Sequence, residues 1–263
     1  MIAYKYKLYR TDKTKHLDKM LREASFVWNH ALALQKRYYR LYKKYISCKR
    51  MQKHFAKRID RYLLHSQTVQ EILQRLDEAD MRFFKHIAVR PPKFKKAKHF
   101  SSFLFKQGGF KLDGNKIRIN RISKTYKFSL SREYHGKVKT VNFKRSPLGE
   151  YYIIVTTDAV VNTYGKSHNG ASVGIDFGLK TYMTMSAGTT VDSPRFLKTY
   201  LPSLQKRGRK LSMCKQNSHH RERSRKDLNR LYERIVNKRN AWQCQLAHRL
   251  CRQYDRIFIE DLR

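Results

Sequence analysis

Positive charge is the feature that most constrains this sequence. Its 263 residues contain 59 Lys and Arg but only 20 Asp and Glu, which gives a net charge of +39 and an isoelectric point near 10.3. Self-repulsion of this size opposes a compact fold unless an anionic partner screens it. Because the basic residues are spread along most of the chain, we expect a long polyanionic partner, and nucleic acid fits best.

Two other kinds of partner or site fit the sequence poorly. An acidic membrane would require a polybasic segment beside an apolar span, and no uncharged run approaches about 18 residues. The first residues, MIAYK, lack the apolar stretch of a secretory signal. The cysteines form no C-x-x-C pair, so we expect neither a zinc site nor a disulfide framework here, but free thiols in a reducing cytoplasm. They are Cys48, Cys214, Cys244 and Cys251.

The first part of the chain combines one strand with a helical region. Residues 2–9 alternate apolar and polar side chains with the period of a strand. From position 14 to position 45, apolar residues recur every three or four positions, which predicts a long helix. A second helix is predicted from Ser66 or Thr68, where Thr68 and Glu71 fit a capping box. Prolines at 91 and 92 end the region, because the residue before a proline leaves the α conformation.

After the prolines the apolar period returns to two. Strands are predicted at 101–105, 115–119, 125–130, 137–143 and 150–157, separated by turns rich in Gly, Asn and Pro. Together with strand 2–9 they predict a small, OB-like antiparallel β-barrel that the helical region interrupts after its first strand. Barrels of this kind bind nucleic acids on one face. Polar residues at 162–171 predict a linker.

The last part of the chain is predicted to mix strands with a basic pair of helices. Residues 172–186 have strand character, and residues 198–239 contain 14 Lys and Arg but only three acids. Apolar residues from 228 to 250 follow helical spacing. The run Ile257-Phe258-Ile259 predicts a central strand buried on both faces.

Two acidic residues are placed at predicted strand ends. Asp176 lies in the string VGIDFG at 173–178, and Glu260 directly follows the strand at 257–259. Carboxylates at neighbouring strand ends can share divalent ions about 3.5–4 Å apart, the arrangement used for phosphodiester hydrolysis. Mg²⁺ suits such oxygen ligands. The simpler alternative, a strand followed by an Asp-containing turn, also fits the first string.

Several cations and one tyrosine are candidates for contacts with nucleic acid. Tyr39 could stack on a base while Lys43 and Lys44 hold phosphates. Tyr38, Tyr42 and Tyr45 share the apolar helical face, so core packing explains them at least as well. The other candidates, for which a solvated surface is the alternative, are Lys93, Lys95, Lys96, Lys206, Arg207, Arg209, Lys210, Arg221, Arg223, Arg225 and Lys226.

These motifs, taken together, resemble the OrfB/TnpB proteins of bacterial insertion sequences, relatives of compact type V CRISPR effectors. The resemblance covers nearly the whole chain and rests on five strings, which are YKYKLY at 4–9, FVWN at 26–29, PKFK at 92–95, VGIDFGLK at 173–180 and IEDL at 259–262. The resemblance implies a multidomain α+β protein. It would have a wedge barrel (1–9 and 93–161), an inserted helical recognition lobe (10–92) and a partial RNase H-like RuvC domain (172–263).

The resemblance also implies an RNA-guided DNA nuclease with a guide RNA and a target DNA as partners. Asp176 matches the family's first catalytic acid and Glu260 its second. The family pattern continues into a zinc ribbon and a third catalytic Asp, so zinc is expected only in that further part. Asp261 would point to the opposite face of a continuing strand. With two acids, we expect this chain to cut DNA poorly or not at all.

Three functions therefore stand at this point. The first is a transposon-associated RNA-guided DNA endonuclease in which Asp176 and Glu260 hold Mg²⁺, weak or inactive in this form. The second is a non-cleaving RNA-guided DNA-binding protein with a decayed nuclease domain. The third, a ribosomal or chromatin-like basic protein, explains the charge but leaves the two strand-end acids without a role.

Overall fold

The structure, a computed structural model, describes residues 1–12, 14–160, 170–178 and 180–260. The chain divides into two compact units, Met1–Val161 and Asn162–Arg263. The linker predicted at 162–171 falls mostly outside the described residues, and so does Asp261. In the described part of the chain, no helix is both long and apolar enough to cross a bilayer.

The strands of the first unit form two antiparallel sheets. A four-stranded sheet has the order β1-β7-β6-β2, and a three-stranded sheet has the order β3-β4-β5. Aromatic and branched side chains alternate inward along these strands and fill one core with the helices. The strand bounds are β1 Ile2–Lys7, β2 Ser102–Phe105, β3 Phe110–Asp113, β4 Lys116–Ile119, β5 Lys124–Lys127, β6 Val138–Arg145 and β7 Tyr151–Thr157.

The mixed α+β class is confirmed, but the strands of the predicted OB-like β-barrel form two antiparallel sheets and no closed barrel. Among the described residues, the two sheets are joined by a single bridge, Leu8 to Phe128, and no pairing joins β2 to β3. The turn between those strands lies against the helical region. Gly109 has a φ of +87°, and a Cβ there would lie 2.8 Å from the ring of His65, so this turn requires glycine. On its two sides, β2 and β3 belong to different sheets.

Three helices cover this core, α1 (Thr14–Tyr42), α2 (Cys48–Ala56) and α3 (Ser66–Phe84). The predicted long helix ends earlier than expected, and α2, which was not predicted, begins after Ser47 accepts a hydrogen bond from the Arg50 amide. The capping box predicted for α3 is wrong. The His65 ring caps the helix by accepting from the Gln67 amide, whereas Thr68 lies within the helix with its hydroxyl buried and unpartnered.

A hydrogen-bonded clamp fastens the segment after the prolines to α1. The Asn29 side chain donates to the Lys95 carbonyl at 2.9 Å and accepts from the Lys95 amide at 2.8 Å. Ser25 donates to the same carbonyl at 2.8 Å, and the Trp28 indole donates to the Lys93 carbonyl at 3.1 Å. The strings at 26–29 and 92–95 are thus two halves of one contact.

The second unit carries one sheet and two long helices. Its sheet has the order β10-β9-β8-β11, in which β8 and β11 are parallel and the other pairs are antiparallel. The prediction of a buried central strand at 257–259 is wrong, because β11 is the edge of the sheet, and Phe258 and Ile259 are each 61% exposed. The bounds are β8 Ser172–Asp176, β9 Thr181–Met185, β10 Thr190–Asp192, α4 Phe196–Met213, α5 His219–Gln253 and β11 Arg256–Ile259.

Replacing Asn29 by Ala is expected to lower the free energy of unfolding by about 1–3 kcal/mol, because the Lys95 amide loses its partner and the Lys95 carbonyl keeps only the Ser25 hydroxyl. Urea unfolding followed by circular dichroism measures this change. The matched control is Gln70→Ala, an exposed amide on α3, which should change stability by less than about 0.5 kcal/mol. Equal effects of the two variants would contradict a stabilising clamp.

Candidate active site and nucleic-acid interface

Asp176 ends a strand whose two faces have different surroundings. Val173 and Ile175 of β8 are buried and pack against Leu246 and Leu250 of α5. Because side chains alternate along a strand, Asp176 lies on the opposite face of the sheet, where it is exposed. The buried side chains of β8 thus hold the strand in place, while the carboxylate of Asp176 at its end faces solvent.

The register of the parallel pair brings Glu260 beside Asp176. Arg256 pairs with Ser172, and each following residue stays in step until Ile259 pairs with Ile175. Glu260 directly follows the last paired residue of β11, and Asp176 directly follows its partner on β8. Continued by one residue, this register would set the two acids level on strands about 4.8 Å apart, facing the same side. Both predicted acids therefore follow the paired positions at the same end of the sheet.

Both carboxylates are open to ligands. Asp176 and Glu260 are exposed, and no described residue forms a hydrogen bond or an ion pair with either. Across the described ranges, no group of three His, Cys, Asp or Glu side chains could hold a metal ion. The site as described is therefore a pair of carboxylates, with oxygen ligands of the kind that hard divalent cations prefer.

The glycines around Asp176 have a structural reason of their own. A Cβ on Gly178 would lie 2.9 Å from the Thr181 carbonyl oxygen, so only glycine allows this turn. A Cβ on Gly174 would meet Ser186 at 3.6 Å, which is an ordinary contact. The tight turn after Asp176 explains Gly178, and it leaves the solvent side of the carboxylate uncovered.

Helices α4 and α5 form a basic hairpin with a small core. Leu204 of α4 packs with Leu231 and Ile235 of α5, while Trp242, Leu246 and Leu250, farther along α5, pack on the sheet. The N-terminal half of α5 thus pairs with α4, and its C-terminal half supports β8. Cations occupy the outer surface of the hairpin.

The structure divides the predicted hairpin cations into two groups. Arg207 donates to the Asp227 carbonyl at 2.9 Å, Arg221 donates to the carbonyls of Leu211 and Cys214 at 3.0 Å each, and Lys226 pairs with Glu222 at 2.9 Å. The others are exposed, and their side chains form no hydrogen bond or ion pair with a described residue, namely Lys206, Arg209, Lys210, Arg223 and Arg225. This second group is the better candidate surface for phosphates.

Sequence reasoning missed a cationic cluster around Tyr200. The guanidinium of Arg234 lies 5.9 Å and the ammonium of Lys238 lies 5.4 Å from the centre of its ring. A hydrogen bond from Lys238, together with both charges, lowers the pKa of the Tyr200 hydroxyl. The spacing of four residues between Arg234 and Lys238 was a signal that they share a helical face.

At the end of α1, the structure separates the tyrosines by role. Tyr39 is 59% exposed, and Lys43 and Lys44 follow it on the surface. The Tyr45 hydroxyl oxygen instead lies 3.1 Å from an Asp77 carboxylate oxygen and 3.0 Å from an Asp80 carboxylate oxygen, so its one proton is shared between them. Tyr39 and the lysines are therefore accessible to a ligand, whereas Tyr45 joins the end of α1 to α3.

The lysines after the prolines also differ. Lys93, Lys95 and Lys96 are all exposed, and they differ in the contacts of their side chains. The ammonium of Lys95 lies 3.7 Å from the centre of the Trp28 ring, and burial lowers its pKa. Lys95 is thus engaged in the clamp on α1 through both its backbone and its side chain.

Comparisons with known proteins match both units of the chain. Residues 155–263 match the family model OrfB_IS605, described as "Probable transposase", and residues 1–44 match HTH_OrfB_IS605, described as "Helix-turn-helix domain". Together these ranges cover more than half of the chain. Residues 1–44 hold β1 and one continuous helix, α1, and the next helix begins at Cys48. The described structure therefore contains no second helix within the matched range.

Two curated relatives carry the name "Putative RNA-guided DNA endonuclease". InsQ of Escherichia coli (strain K12) is 30% identical over 200 residues, which is 75% of this chain and 48% of InsQ. A protein of Streptomyces pristinaespiralis is 23% identical over 196 residues, 74% of this chain and 48% of its own length. The chain thus spans about half the length of these relatives.

One solved structure is similar over most of this chain. It is a chain of the structure titled "Cryo-EM structure of CRISPR-Cas12f Ternary Complex". The similarity covers 96% of this chain and 64% of that one, with 13% sequence identity and a TM-score of 0.42.

Arg221 and Arg223 offer a matched test of the two groups of cations. Arg221→Gln is expected to lower the free energy of unfolding by about 1–3 kcal/mol, because the last carbonyls of α4 lose a charged donor. Arg223→Gln should leave stability within about 0.5 kcal/mol but reduce the salt dependence of nucleic-acid binding by about one phosphate contact. Urea unfolding and binding titrations at several salt concentrations check both, and the reverse pattern would contradict this division.

Proposed function

Because the chain belongs to the OrfB/TnpB family of transposon-encoded proteins, we propose that it serves in RNA-guided cleavage of DNA. The reaction is hydrolysis of a phosphodiester bond, with a guide RNA and a target DNA as partners. The observation that supports the proposal is the pairing register of β8 and β11, in which Asp176 and Glu260 directly follow the paired residues Ile175 and Ile259, and both acids are exposed.

Asp176 and Glu260 would hold Mg²⁺, and their surroundings fit this ion. Mg²⁺ keeps several of its waters and is commonly bound by one or two carboxylates together with substrate phosphates. The two exposed carboxylates leave room for such waters and for a phosphate. When bound, the ion would supply an activated water and stabilise the charge that develops on the scissile phosphate.

The rest of the second unit supports a RuvC-like, RNase H-like assignment. Its sheet combines antiparallel strands with one parallel strand, which follows a helical crossover. In this topology both acids follow strands that end at the same side of the sheet. The unpartnered cations of the hairpin offer contacts to phosphates that depend on salt and ignore sequence. Such contacts suit a protein in which base pairing to a guide reads the target.

A binding-only role is the second candidate. Within the described residues the site has two carboxylates and no third ligand, so metal binding by these residues alone should be weak. A protein that holds guide RNA and target DNA without cutting would keep the same basic surfaces. The two candidates share partners and differ in the activity of the carboxylate pair.

The proposal is tested by isolating the 263-residue chain from cells that carry its gene with the flanking DNA, and sequencing the RNA bound to it. We expect one discrete RNA class transcribed from that flanking DNA. With this RNA and a matching DNA, we expect specific binding with weak or no Mg²⁺-dependent cleavage. Any such cleavage should be lost in Asp176→Ala and kept in Asp192→Ala, an exposed acid on β10.

Two outcomes would contradict parts of this account. Bound RNA that merely samples the cell's abundant transcripts would favour a general basic RNA-binding protein. Strong cleavage that survives Asp176→Ala would show that the carboxylate pair is not the site of hydrolysis.

A further inference from the structure

A basic groove in the first unit lies apart from every residue assigned a role above. It has a volume of about 670 Å³ and runs between α1 and the segment after α2. Clefts that hold one small organic molecule commonly measure about 300–1,000 Å³. The volume of the groove is therefore in the range of sites that bind one small organic molecule.

One face of α1 forms the first wall of the groove. Lys19, Arg22, Phe26 and His30 all line it, and their spacings of three and four residues place them on one side of the helix. Arg58 and Arg61 line the other wall. The groove thus holds four cations around one aromatic ring and one imidazole.

The charge of the groove is not neutralised from within. No described carboxylate forms an ion pair with Lys19, Arg22, Arg58 or Arg61. Glu23, the acid that lines the groove, instead accepts hydrogen bonds from the amides of Leu63 at 2.8 Å and Leu64 at 3.0 Å. Four cations facing one engaged carboxylate leave a net positive site suited to phosphate.

Phe26 gives this site a flat apolar surface. Its side chain lies at the surface of the fold, with 58% of the residue exposed, and its ring centre lies 5.9 Å from that of His30. An exposed aromatic ring between cations is the arrangement on which unpaired bases stack while the backbone is held by charge.

His30 adds a polar atom without adding charge. Burial, followed by the charge of Arg58, lowers the pKa of its ring, so the imidazole is neutral at pH 7. Its Nδ1 is buried and has no hydrogen-bond partner among the described residues. The imidazole therefore contributes a neutral ring near Phe26 and no fifth cation.

We propose that this groove binds one unpaired nucleotide of RNA, with its phosphate on the four cations and its base on Phe26 beside His30. The proposal rests on the function proposed above, in that RNA is a partner of this protein. RNA is the preferred source, because folded RNA regularly offers unstacked bases in loops and bulges, whereas duplex DNA keeps its bases stacked and paired.

The test uses ¹⁹F NMR, because the chain carries many other basic surfaces and an overall affinity would average over them. Phe26 is replaced by 4-fluorophenylalanine in the 263-residue chain, and hexauridine is added. We expect a saturable shift of this resonance. A hexamer of the same backbone without bases should leave it nearly unmoved, because no ring stacks on the label. The same label at Tyr9, an aromatic residue 54% exposed, should not shift.

A second variant pair tests the phosphate contacts. Arg22→Gln should raise the midpoint of the hexauridine titration at Phe26 severalfold and lower its salt dependence by about 0.7 per lost contact. Arg118→Gln, an exposed cation on β4, should leave the midpoint unchanged. Circular dichroism checks that both variants fold.

The outcomes separate this proposal from the one on which it rests. Fluorescence anisotropy shows whether hexauridine binds the chain at all. If it binds but leaves the ¹⁹F resonance at position 26 unshifted, the groove is not the binding site, and only this proposal is overturned. An equal shift of the resonance with the base-free hexamer would contradict the stacking of a base on Phe26. Tighter binding of hexathymidine than of hexauridine at Phe26 would overturn the choice of RNA. Absence of any RNA binding to the chain would count against the proposed function itself.

Discussion

The parallel pairing of β8 with β11 is the interaction on which the second unit depends. Adjacent parallel strands cannot be joined by a tight turn and require a long crossover. Here β9, β10 and the whole α4–α5 hairpin form that crossover. The register of the pair runs residue by residue up to Ile259 and Ile175, and the two acids are the residues that follow. Slipping the register by one residue would turn one carboxylate to the helix-packed face.

Helix α5 connects the acid pair to the basic surface. Its C-terminal half packs Leu246 and Leu250 beneath β8, and its N-terminal half forms a separate core with α4. Apolar packing therefore occupies one side of the helix, while the cations remain on the other. A net charge of +39 becomes compatible with folding because the repelling groups lie at the surface, where solvent and counterions screen them.

The sequence predicted those features that depend on local pattern. Alternation and flanking glycines located β8, and the apolar run at 257–259 located β11, so local pattern was enough to place two acids at strand ends. Which strands are adjacent, and so whether the two acids are close, depends on the sheet topology. The sequence of a single strand does not determine that topology. Whether strand 257–259 is central or at an edge depends on which strands pair with it, and its composition gave the wrong answer.

Neither barrel closure nor the roles of single cations could be predicted from the sequence, for a similar reason. The close approach of Gly109 to the His65 ring joins segments far apart in the sequence, and so do the pairings that place β2 and β3 in different sheets. Arg221 and Arg223 are the same residue type, yet Arg221 donates to the end of α4 and Arg223 faces solvent. Likewise the Lys95 ammonium lies over the Trp28 ring, whereas no described ring contact involves the side chains of Lys93 and Lys96, although all three lysines are exposed. Long-range contacts, rather than residue type, set these roles.

The central claim is that Asp176 and Glu260 together form one metal site. It is tested most directly by replacing Mg²⁺ with Fe²⁺, adding ascorbate and peroxide, and mapping where the radicals formed at the bound iron cut the backbone. A shared site predicts cuts near Asp176 and near Glu260 together, with both sets lost in Asp176→Asn. Cuts near only one of the two acids, or a pattern that Asp176→Asn leaves unchanged, would contradict the account.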